Sequence, residues 1–227
     1  VSLVTCVSRY TRSRFLRWSN MNPAKVKVLP NTLGNRKQVL NNQLAKDELV
    51  LKKKKIILTV GRLSASEQYK GQDRILACLP ELVSKQPDIH YLIAGDGDDK
   101  PRLKKLAEDL GINDNVTFLG NIENEKLDQL YQAADLFAMP STGEGFGIVF
   151  LEAMAQGTPA LGLNEDGSSD PLQDGQLGIV VTKETLCEEI LKALNNSPDN
   201  TLAEKVQKTF GKQNFNQHVN DLLREAF

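Results

Sequence analysis

The chain has 227 residues, a formal net charge of −1 and 28 lysines plus arginines against 29 aspartates plus glutamates. This balance excludes the basic surface that a nucleic-acid-binding domain presents. No apolar run approaches the roughly 20 residues that a membrane-spanning helix needs, and a chain of this length can bury one large core or two modest ones.

Short β-branched runs alternate along the chain with helical patterns, which predicts an α/β fold with a parallel sheet and helices on both faces. The predicted strands are Leu3–Val7, Val26–Leu29, Ile56–Val60, His90–Ala94, Val116–Leu119, Leu136–Met139, Pro159–Leu163 and Leu177–Val181. The predicted helices are Gln72–Ser84, Arg102–Leu110, Glu125–Ala133, Ile148–Ala155, Thr185–Leu194, Leu202–Phe210 and Phe215–Ala226.

The first 34 residues differ from the rest of the chain. They contain an arginine-rich segment, residues 8–18, and end in the connector Pro30–Gly34. Polar residues follow, so we expect a domain boundary between Gly34 and Ile56. The segment is too short to bury a core of its own, and the chain begins at Val1 without an initiator Met. We therefore expect the sequence to begin partway through a larger protein.

The cysteines and the lysine run have simple interpretations. Cys6, Cys78 and Cys187 are odd in number, far apart and without CxxC spacing, which predicts reduced thiols in a cytosolic protein. The run Lys52–Lys55 stands directly before a predicted strand, which favours a solvated strand entrance over a lipid-binding patch.

Two carboxylates, Glu144 and Glu152, bracket a glycine-flanked loop and the start of an apolar helix. On one continuous helix, positions eight apart diverge by about 80° of rotation and do not share a face. With Glu144 in the loop and Glu152 in the helix, both can reach one ligand from different ends. The helix N-terminus between them can bind phosphate. This arrangement suits a nucleotide sugar, which has hydroxyls at both ends and phosphates in the middle.

Two cations lie near the end of the first strand of the main domain. Gly61 and Arg62 follow the predicted strand Ile56–Val60, and Lys70 precedes the next helix. Ligands of parallel sheets bind at the carboxyl ends of strands. There the glycine lets a backbone approach a phosphate, and Arg62 and Lys70 can neutralise the phosphate charge. Solvated surface cations would be the ordinary interpretation, but their position at a strand end favours a phosphate site.

Two other patterns are less informative. Gly95-Asp96-Gly97 follows a strand, but Lys100 replaces the third glycine of a dinucleotide fingerprint. Asp96 and Asp98 could form a metal-binding pair, although a strand-to-helix turn with carboxylates near the helix start is the simpler prediction. His90 and His218 have no spacing that indicates a metal site or a catalytic triad.

Taken together, these motifs resemble the retaining glycosyltransferases of family 4, specifically their C-terminal, donor-binding half. The matching series is Val60–Leu63, Lys70–Asp73, Ala94–Gly97, Val116–Gly120, Ala134-Asp135, Pro140-Ser141, Glu144–Gly147, Leu151–Ala155 and Gly157–Pro159. The order and spacing persist from about Ile56 to Val181. The resemblance implies one half of a GT-B fold, a Rossmann-like domain. Residues 1–34 would be a remnant of the N-terminal domain with the linker, 35–212 the donor-binding domain and 213–227 a crossover helix.

The resemblance also implies roles for individual residues. Arg62 and Lys70 would bind the donor diphosphate, Glu152 the ribose hydroxyls and Glu144 the donor sugar, which makes Glu144, Arg62 and Lys70 the expected catalytic set. The remaining binding residues, which would contact phosphate, sugar or base mainly through backbone atoms, would be Gly61, Leu119, Gly120, Asn121, Ile122, Gly145, Phe146, Gly147 and Ile148. No metal and no cofactor are implied, because the cations and a helix end would stabilise the leaving diphosphate.

The donor would be a nucleotide-diphosphate sugar, with a UDP-sugar as first choice and a GDP-sugar as the alternative. The acceptor, a glycan, a lipid-linked acceptor or another glycoconjugate, would be bound mainly by an N-terminal domain outside this sequence. The chain alone is therefore expected to bind donor without transferring sugar. A cytoplasmic location is expected, with peripheral association at the inner face of a membrane as an alternative for the full-length protein.

Two other functions stay open from the residues alone. A GT-B-like sugar-nucleotide epimerase could use the same pocket, and so could a non-catalytic module that binds a nucleotide sugar or a partner. The glutamate spacing and the Arg62 and Lys70 positions favour the transferase.

Overall fold

The computed structural model describes residues 3–34, 42–48 and 54–226. Its strands are β1 Val4–Cys6, β2 Val26–Val28, β3 Lys55–Val60, β4 Ile89–Ala94, β5 Val116–Gly120, β6 Leu136–Ala138, β7 Ala160–Leu163 and β8 Ile179–Val181. Its helices are α1 Arg9–Trp18, α2 Asn42–Glu48, α3 Gln72–Lys85, α4 Lys100–Asp109, α5 Asn124–Ala133, α6 Ile148–Ala155, α7 Leu186–Asn195, α8 Leu202–Phe210 and α9 Lys212–Ala226.

The main sheet has six parallel strands in the order β5-β4-β3-β6-β7-β8. The chain starts in the middle at β3, builds outward through β4 and β5, then returns to β6 on the other side of β3. This is the doubly wound order, in which ligands bind beyond the carboxyl ends of the two central strands, where the winding reverses. The predicted α/β class, with a Rossmann-like parallel sheet, is confirmed.

Alternate residues of each central strand enter two separate cores. Ile57 of β3 packs into a core closed by α3, α4 and α7, whereas Ile56 and Leu58 pack into a second core closed by α5, α6 and α8. Both faces of the sheet are therefore covered, which explains why its strands are continuous apolar runs without polar alternation.

The front segment forms a separate two-stranded parallel sheet, β1 with β2, connected by α1. Its linker lies against the main domain, where the Leu33 N–H donates to the carbonyl of Phe210 at 2.9 Å. The last helix, α9, reaches back to this segment, and Lys27 Nζ lies 2.5 Å from the Glu225 carboxylate. The predicted domain boundary after residue 34 stays a prediction, because residues 35–41 lie outside the described ranges.

Every predicted strand and helix has a counterpart in the structure, with bounds that differ by a few residues. The helices α1 and α2 were not predicted. Helix α1 carries four arginines and buries none of its residues. Of the lysine run, Lys54 is exposed and Lys55 begins β3, while Lys52 and Lys53 lie outside the described residues.

The prediction of three reduced thiols is wrong for two of the cysteines. Cys78 on α3 and Cys187 on α7 form a disulfide, with their Cα atoms 5.3 Å apart, and Cys6 is a free thiol. The two cysteines are 109 residues apart in sequence, and only the packing of α3 against α7 brings them together.

Within residues 3–34, 42–48 and 54–226, none of the helices has the length and apolarity to cross a membrane.

Candidate functional site

A cavity of about 200 Å³ lies beyond the carboxyl ends of β3, β4 and β5, on one side of the point where the sheet changes its winding direction. Four of the residues predicted to bind the donor line it, together with residues from the ends of β3 and β4. The predicted residues are Gly61, Arg62, Asn121 and Ile122. The carboxyl ends of three neighbouring strands, β3, β4 and β5, therefore meet at one concave surface, as the βαβ order requires.

Close contact between two backbone turns shapes the cavity floor. Gly95 has φ +135°, and a Cβ at this position would lie 1.9 Å from the carbonyl oxygen of Gly61. The Gly95 N–H donates to the carbonyl of Gly120 at 2.8 Å. Because only glycine permits this φ and this approach, the three strand ends are held at backbone distance from one another. Leu119 and Gly120 form the end of β5 and contribute to this arrangement.

Beside the cavity, Arg62 and Lys70 meet at a common carboxylate. The 3-10 helix Ala65–Lys70 places Glu67 between them, where it forms an ion pair with the Arg62 guanidinium and lies 3.0 Å from Lys70 Nζ. Arg62 is largely exposed, whereas Lys70 and Glu67 are mostly buried. The Lys70 side chain crosses Gly61, with Nζ 3.5 Å from where a Cβ would stand. The two predicted phosphate-binding cations are thus neighbours.

Glu144 lies on the loop after β6, on the other side of the winding reversal. Its backbone N–H donates to Asp166 Oδ2 at 2.7 Å and to Ser141 Oγ at 3.1 Å. Its carbonyl accepts from the Gly167 N–H at 2.9 Å. Burial raises the pKa of the Glu144 carboxyl, and the nearby Lys70 ammonium opposes that rise. The structure therefore brings Glu144 close to Lys70, in a partly desolvated position.

The loop continues into α6 through Gly147, whose φ of +81° is unfavourable for residues with a side chain. Among the described residues, no side chain caps this helix, so its first N–H groups can serve a bound anion. Phe146 is buried and its ring contacts Phe210, with centroids 6.1 Å apart. Residues Gly145–Ile148 were expected to contact the donor through their backbone. Because its ring is buried, Phe146 can offer a ligand only its main-chain atoms.

Glu152 lies in the middle of α6 and accepts a hydrogen bond from the Tyr131 hydroxyl at 3.0 Å. Tyr131 is fully buried on the neighbouring helix α5. This bond fixes the carboxylate at one position, which suits a group that must accept hydrogen bonds from a diol. The hydrogen bond between Tyr131 and Glu152 involves none of Arg62, Lys70 and Glu144.

The acidic turn after β4 has a structural role. Asp98 accepts a hydrogen bond from the Ala65 N–H at 2.8 Å, and Asp96 pairs with Lys100 at 2.7 Å. Asp99 binds Arg102 and directly precedes α4. Across the described ranges, no group of three or more His, Cys, Asp or Glu residues is placed to hold a metal ion. The turn interpretation of this segment is thus the one that the contacts favour.

Four residues around the site were not singled out from the sequence: Glu67, Tyr69, Tyr131 and Asp166. Glu67 and Tyr69 stand in a polar stretch between two motifs, where neither periodicity nor glycine spacing marks them. The Tyr69 ring lies against Gly143, with its Cγ 3.0 Å from where a Cβ of that glycine would stand. A buried carboxylate such as Asp166 is detectable only once the fold is known, because its partners are far away in sequence.

Residues 41–214 match the family described as glycosyl transferases group 1. The match covers more than half of the sequence. The chain belongs to this family. Among curated proteins similar to it is the GDP-mannose-dependent alpha-(1-6)-phosphatidylinositol monomannoside mannosyltransferase of Mycobacterium tuberculosis. That protein is 36% identical over 191 residues, which are 79% of this chain and 48% of the relative.

A second similar protein is the alpha-monoglucosyldiacylglycerol synthase of Streptococcus pneumoniae. It is 30% identical over 76% of this chain and 39% of its own length. The chain spans about half the length, or less, of the curated relatives it matches.

Solved structures of GT-B glycosyltransferases have the same fold. Sucrose-phosphate synthase from Thermosynechococcus elongatus superimposes with a TM-score of 0.81 at 25% identity, over 98% of this chain and 58% of that one. Anabaena HepE in complex with UDP and glucose superimposes with a TM-score of 0.80 at 23% identity, over 99% of this chain and 63% of that one. The expected GT-B C-terminal domain is confirmed as the fold of this chain.

Proposed function

We propose that this chain is the donor-binding domain of a retaining glycosyltransferase that moves a sugar from a nucleotide-diphosphate sugar to a glycan, a lipid-linked molecule or another acceptor. The observation that carries the proposal is the meeting of Arg62 and Lys70 on one carboxylate beside the cavity. Two cations that share an anion at the carboxyl ends of parallel strands form a site suited to a diphosphate.

The roles follow from the positions of the side chains. Arg62 and Lys70 hold the diphosphate, and the N-terminus of α6, after Gly145 and Gly147, adds backbone N–H groups. Glu144, on the rigid loop beside Lys70, accepts hydrogen bonds from the donor sugar. Glu152, fixed by Tyr131, accepts hydrogen bonds from the ribose hydroxyls. As the glycosidic bond to the leaving group breaks, the two cations stabilise the charge that develops on the diphosphate, without a metal ion.

The base lies in the cavity lined by Gly61, Asn121 and Ile122, next to Leu119 and Gly120. A UDP-sugar is our first choice of donor and a GDP-sugar the alternative. Anabaena HepE has been crystallised with UDP, whereas the mycobacterial relative is GDP-mannose-dependent, so the relatives support both bases.

The acceptor is bound mainly by another part of the full-length protein, and the isolated chain binds donor without transferring sugar. Residues 1–34 are a remnant of the N-terminal domain with the interdomain linker, 35–212 form the donor-binding domain, and 213–227 form the helix that crosses back to the N-terminal domain. A cytoplasmic location, with peripheral contact to the inner face of a membrane as the alternative, stays a prediction. The prediction of a cytoplasmic location rested on reduced cysteines, and the disulfide between Cys78 and Cys187 removes that argument.

The test is calorimetric titration of the chain with UDP, GDP, ADP and CMP, followed by sugar conjugates of the nucleotide that binds best. We expect a clear preference for one diphosphate, and loss of that binding in Arg62→Ala. The matched control is Arg224→Ala, because the side chains of Arg62 and Arg224 are 78% and 79% exposed. Equal binding by the Arg62→Ala variant and the unmodified chain would contradict the diphosphate site.

A further inference from the structure

The two cations assigned to the diphosphate already have an anion of their own. Glu67 forms an ion pair with Arg62 and lies 3.0 Å from Lys70, and its side chain is only 14% exposed. Arg62 reaches this carboxylate from solvent and Lys70 reaches it from the protein interior. The carboxylate thus takes the position between the two cations that a bound phosphate group would need.

Glu67 is placed there by its local structure. It stands at the kink of the 3-10 segment Ala65–Lys70, with φ −117° and ψ 24°, and at the start of this segment the Ser64 hydroxyl accepts a hydrogen bond from Ser66 N–H. The Glu67 N–H donates to the Ser64 carbonyl at 2.8 Å. The helix ends at Gly71, which has φ +81°. Since both ends of this turn are fixed, the carboxylate is held beside the cations even without a ligand.

The carboxylate is held by two ion pairs that differ in their exposure to solvent. Its Oε2 atom is buried and lies 3.0 Å from Lys70 Nζ, whereas its Oε1 atom meets the guanidinium of Arg62, which is 78% exposed. An ion pair with an exposed guanidinium is weak, because water screens it. Lys70 also lies near the Glu144 carboxylate, so a second anion helps to neutralise it when Glu67 leaves. This arrangement favours exchange of Glu67 for another anion over a permanent ion pair.

We propose that Glu67 is a built-in competitor of the donor diphosphate. Resting on the proposed function, this inference assigns Glu67 a role in product release. When a nucleotide diphosphate binds, its oxygens replace the Glu67 carboxylate on Arg62 and Lys70. After the sugar has left, the carboxylate returns to the cations and lowers the affinity for the nucleoside diphosphate. The side chain that keeps the cations neutralised in the free protein thus limits how tightly the product is held.

A purely structural role for Glu67 predicts the opposite result. If the carboxylate only positions Arg62 and Lys70, its removal disorders them and weakens diphosphate binding. If it competes, its removal leaves two unneutralised cations and strengthens binding. The sign of the change in affinity therefore separates the two roles.

The experiment is titration of the unmodified chain and of Glu67→Gln with UDP, GDP and the matching nucleosides. We expect Glu67→Gln to bind the preferred diphosphate about two- to fivefold more tightly, the range for removing the charge partner of an ion pair that is open to solvent on one side. Binding of the nucleoside, which carries no phosphate, should not change. Glu81→Gln, whose partner Lys85 is on the same exposed helix face, is the control and should leave diphosphate affinity unaltered.

A second variant protects the test against misfolding of the first. Glu67→Asp shortens the side chain by one methylene and withdraws the charge from the cations, so it should bind the diphosphate more tightly by a smaller factor. Unchanged or weaker diphosphate binding in both folded variants would overturn the competitor role while the proposed function stands. Absence of diphosphate binding in the unmodified chain and in both variants would overturn the proposed function and this inference together.

Discussion

The carboxylate of Asp166 accepts a hydrogen bond from the backbone N–H of Glu144 at 2.7 Å. The same buried carboxylate also accepts hydrogen bonds from the Ser141 hydroxyl at 2.6 Å and from the Ser168 N–H at 2.9 Å. One side chain, 22 residues away in sequence, therefore determines where the Glu144 loop stands. Charge-assisted bonds of this kind are stronger than neutral ones, so we expect the loop to be rigid in the free protein.

Replacement of Asp166 by Asn should loosen this loop. The amide keeps the shape but removes the charge and half of the acceptor capacity, so at least one of the bound N–H or O–H groups loses its partner. We expect a loss of about 2–4 kcal/mol in the free energy of unfolding by urea, and a weaker preference for the nucleotide sugar over the bare nucleotide. Asp114→Asn, at an exposed turn, is the control. Unchanged stability of Asp166→Asn would show that the loop does not depend on this carboxylate.

Replacement of Glu144 by Gln should stabilise the free protein and impair sugar binding. The pKa of this carboxyl is raised by burial in the folded state, so the folded protein binds protons more readily than the unfolded chain. Stability associated with Glu144 therefore falls as the pH rises through the folded pKa, and the cost persists at pH 7. We expect Glu144→Gln to raise Tm at pH 7 by about 1–3 °C, a small change because solvent still reaches the side chain.

The same variant separates the two halves of the ligand. Glu144→Gln should bind the bare nucleoside diphosphate nearly as well as the unmodified chain and lose most of the additional affinity for the nucleotide sugar. Equal weakening for both ligands in calorimetry would disprove the sugar contact. At pH 4 the Tm of Glu144→Gln should exceed that of the unmodified chain by less, because the Glu144 carboxyl is then largely protonated and as uncharged as the glutamine.

Replacement of Glu152 by Ala tests the ribose contact. We expect nucleotide affinity to fall by about 1.5–3 kcal/mol, the scale for losing hydrogen bonds to a charged group. Calorimetry with the nucleoside and with the nucleoside diphosphate should show the same loss, because the ribose is common to both. Glu188→Ala, at an exposed position on α7, should have no effect. Full affinity in Glu152→Ala would refute the assignment.

The two carboxylates that hold Arg9 should contribute unequally to stability. Asp170 is 10% exposed and accepts from both the Arg9 backbone N–H, at 2.8 Å, and its Nε, at 2.7 Å. Asp174 is 58% exposed and contacts only the guanidinium. Thermal unfolding should show a loss of about 2 kcal/mol for Asp170→Asn and at most about 0.5 kcal/mol for Asp174→Asn. Equal losses would mean that burial does not decide the strength of this contact.

The disulfide between Cys78 and Cys187 should contribute strongly to stability, because it closes a loop of 109 residues. In the chain-entropy view, removing a loop of this size costs about 4–5 kcal/mol, and measured values are commonly about 2–4. The double variant Cys78→Ala and Cys187→Ala should unfold at lower urea than the oxidised chain. Dithiothreitol should shift the oxidised chain in the same direction and leave the double variant unaffected. Insensitivity of both proteins to reductant would disprove the bond.

The sequence predicts the alternation of strands and helices well, because each βα unit carries an apolar run of its own. The Ile56–Val60 strand and the Gln72–Ser84 helix are examples whose signal is local. The pairing of Cys78 with Cys187 is not local, since packing of two distant helices creates it. Asp166 escaped detection for the same reason, whereas Glu67 has nearby partners but stands in a polar stretch without periodicity or glycine spacing. The role of a carboxylate in a polar stretch can be assigned only when the fold shows which groups it contacts.

The disulfide also divides the chain mechanically. Residues 78–187 form a covalently closed ring that contains Glu144 and Glu152, whereas Arg62 and Lys70 stand on the strand of chain outside it. A force applied between residues 3 and 226 therefore extends only the segments outside the ring. Such a force pulls the two cations away while the two glutamates stay within the closed loop, so the stretched molecule loses its phosphate contacts although the ring itself carries no tension.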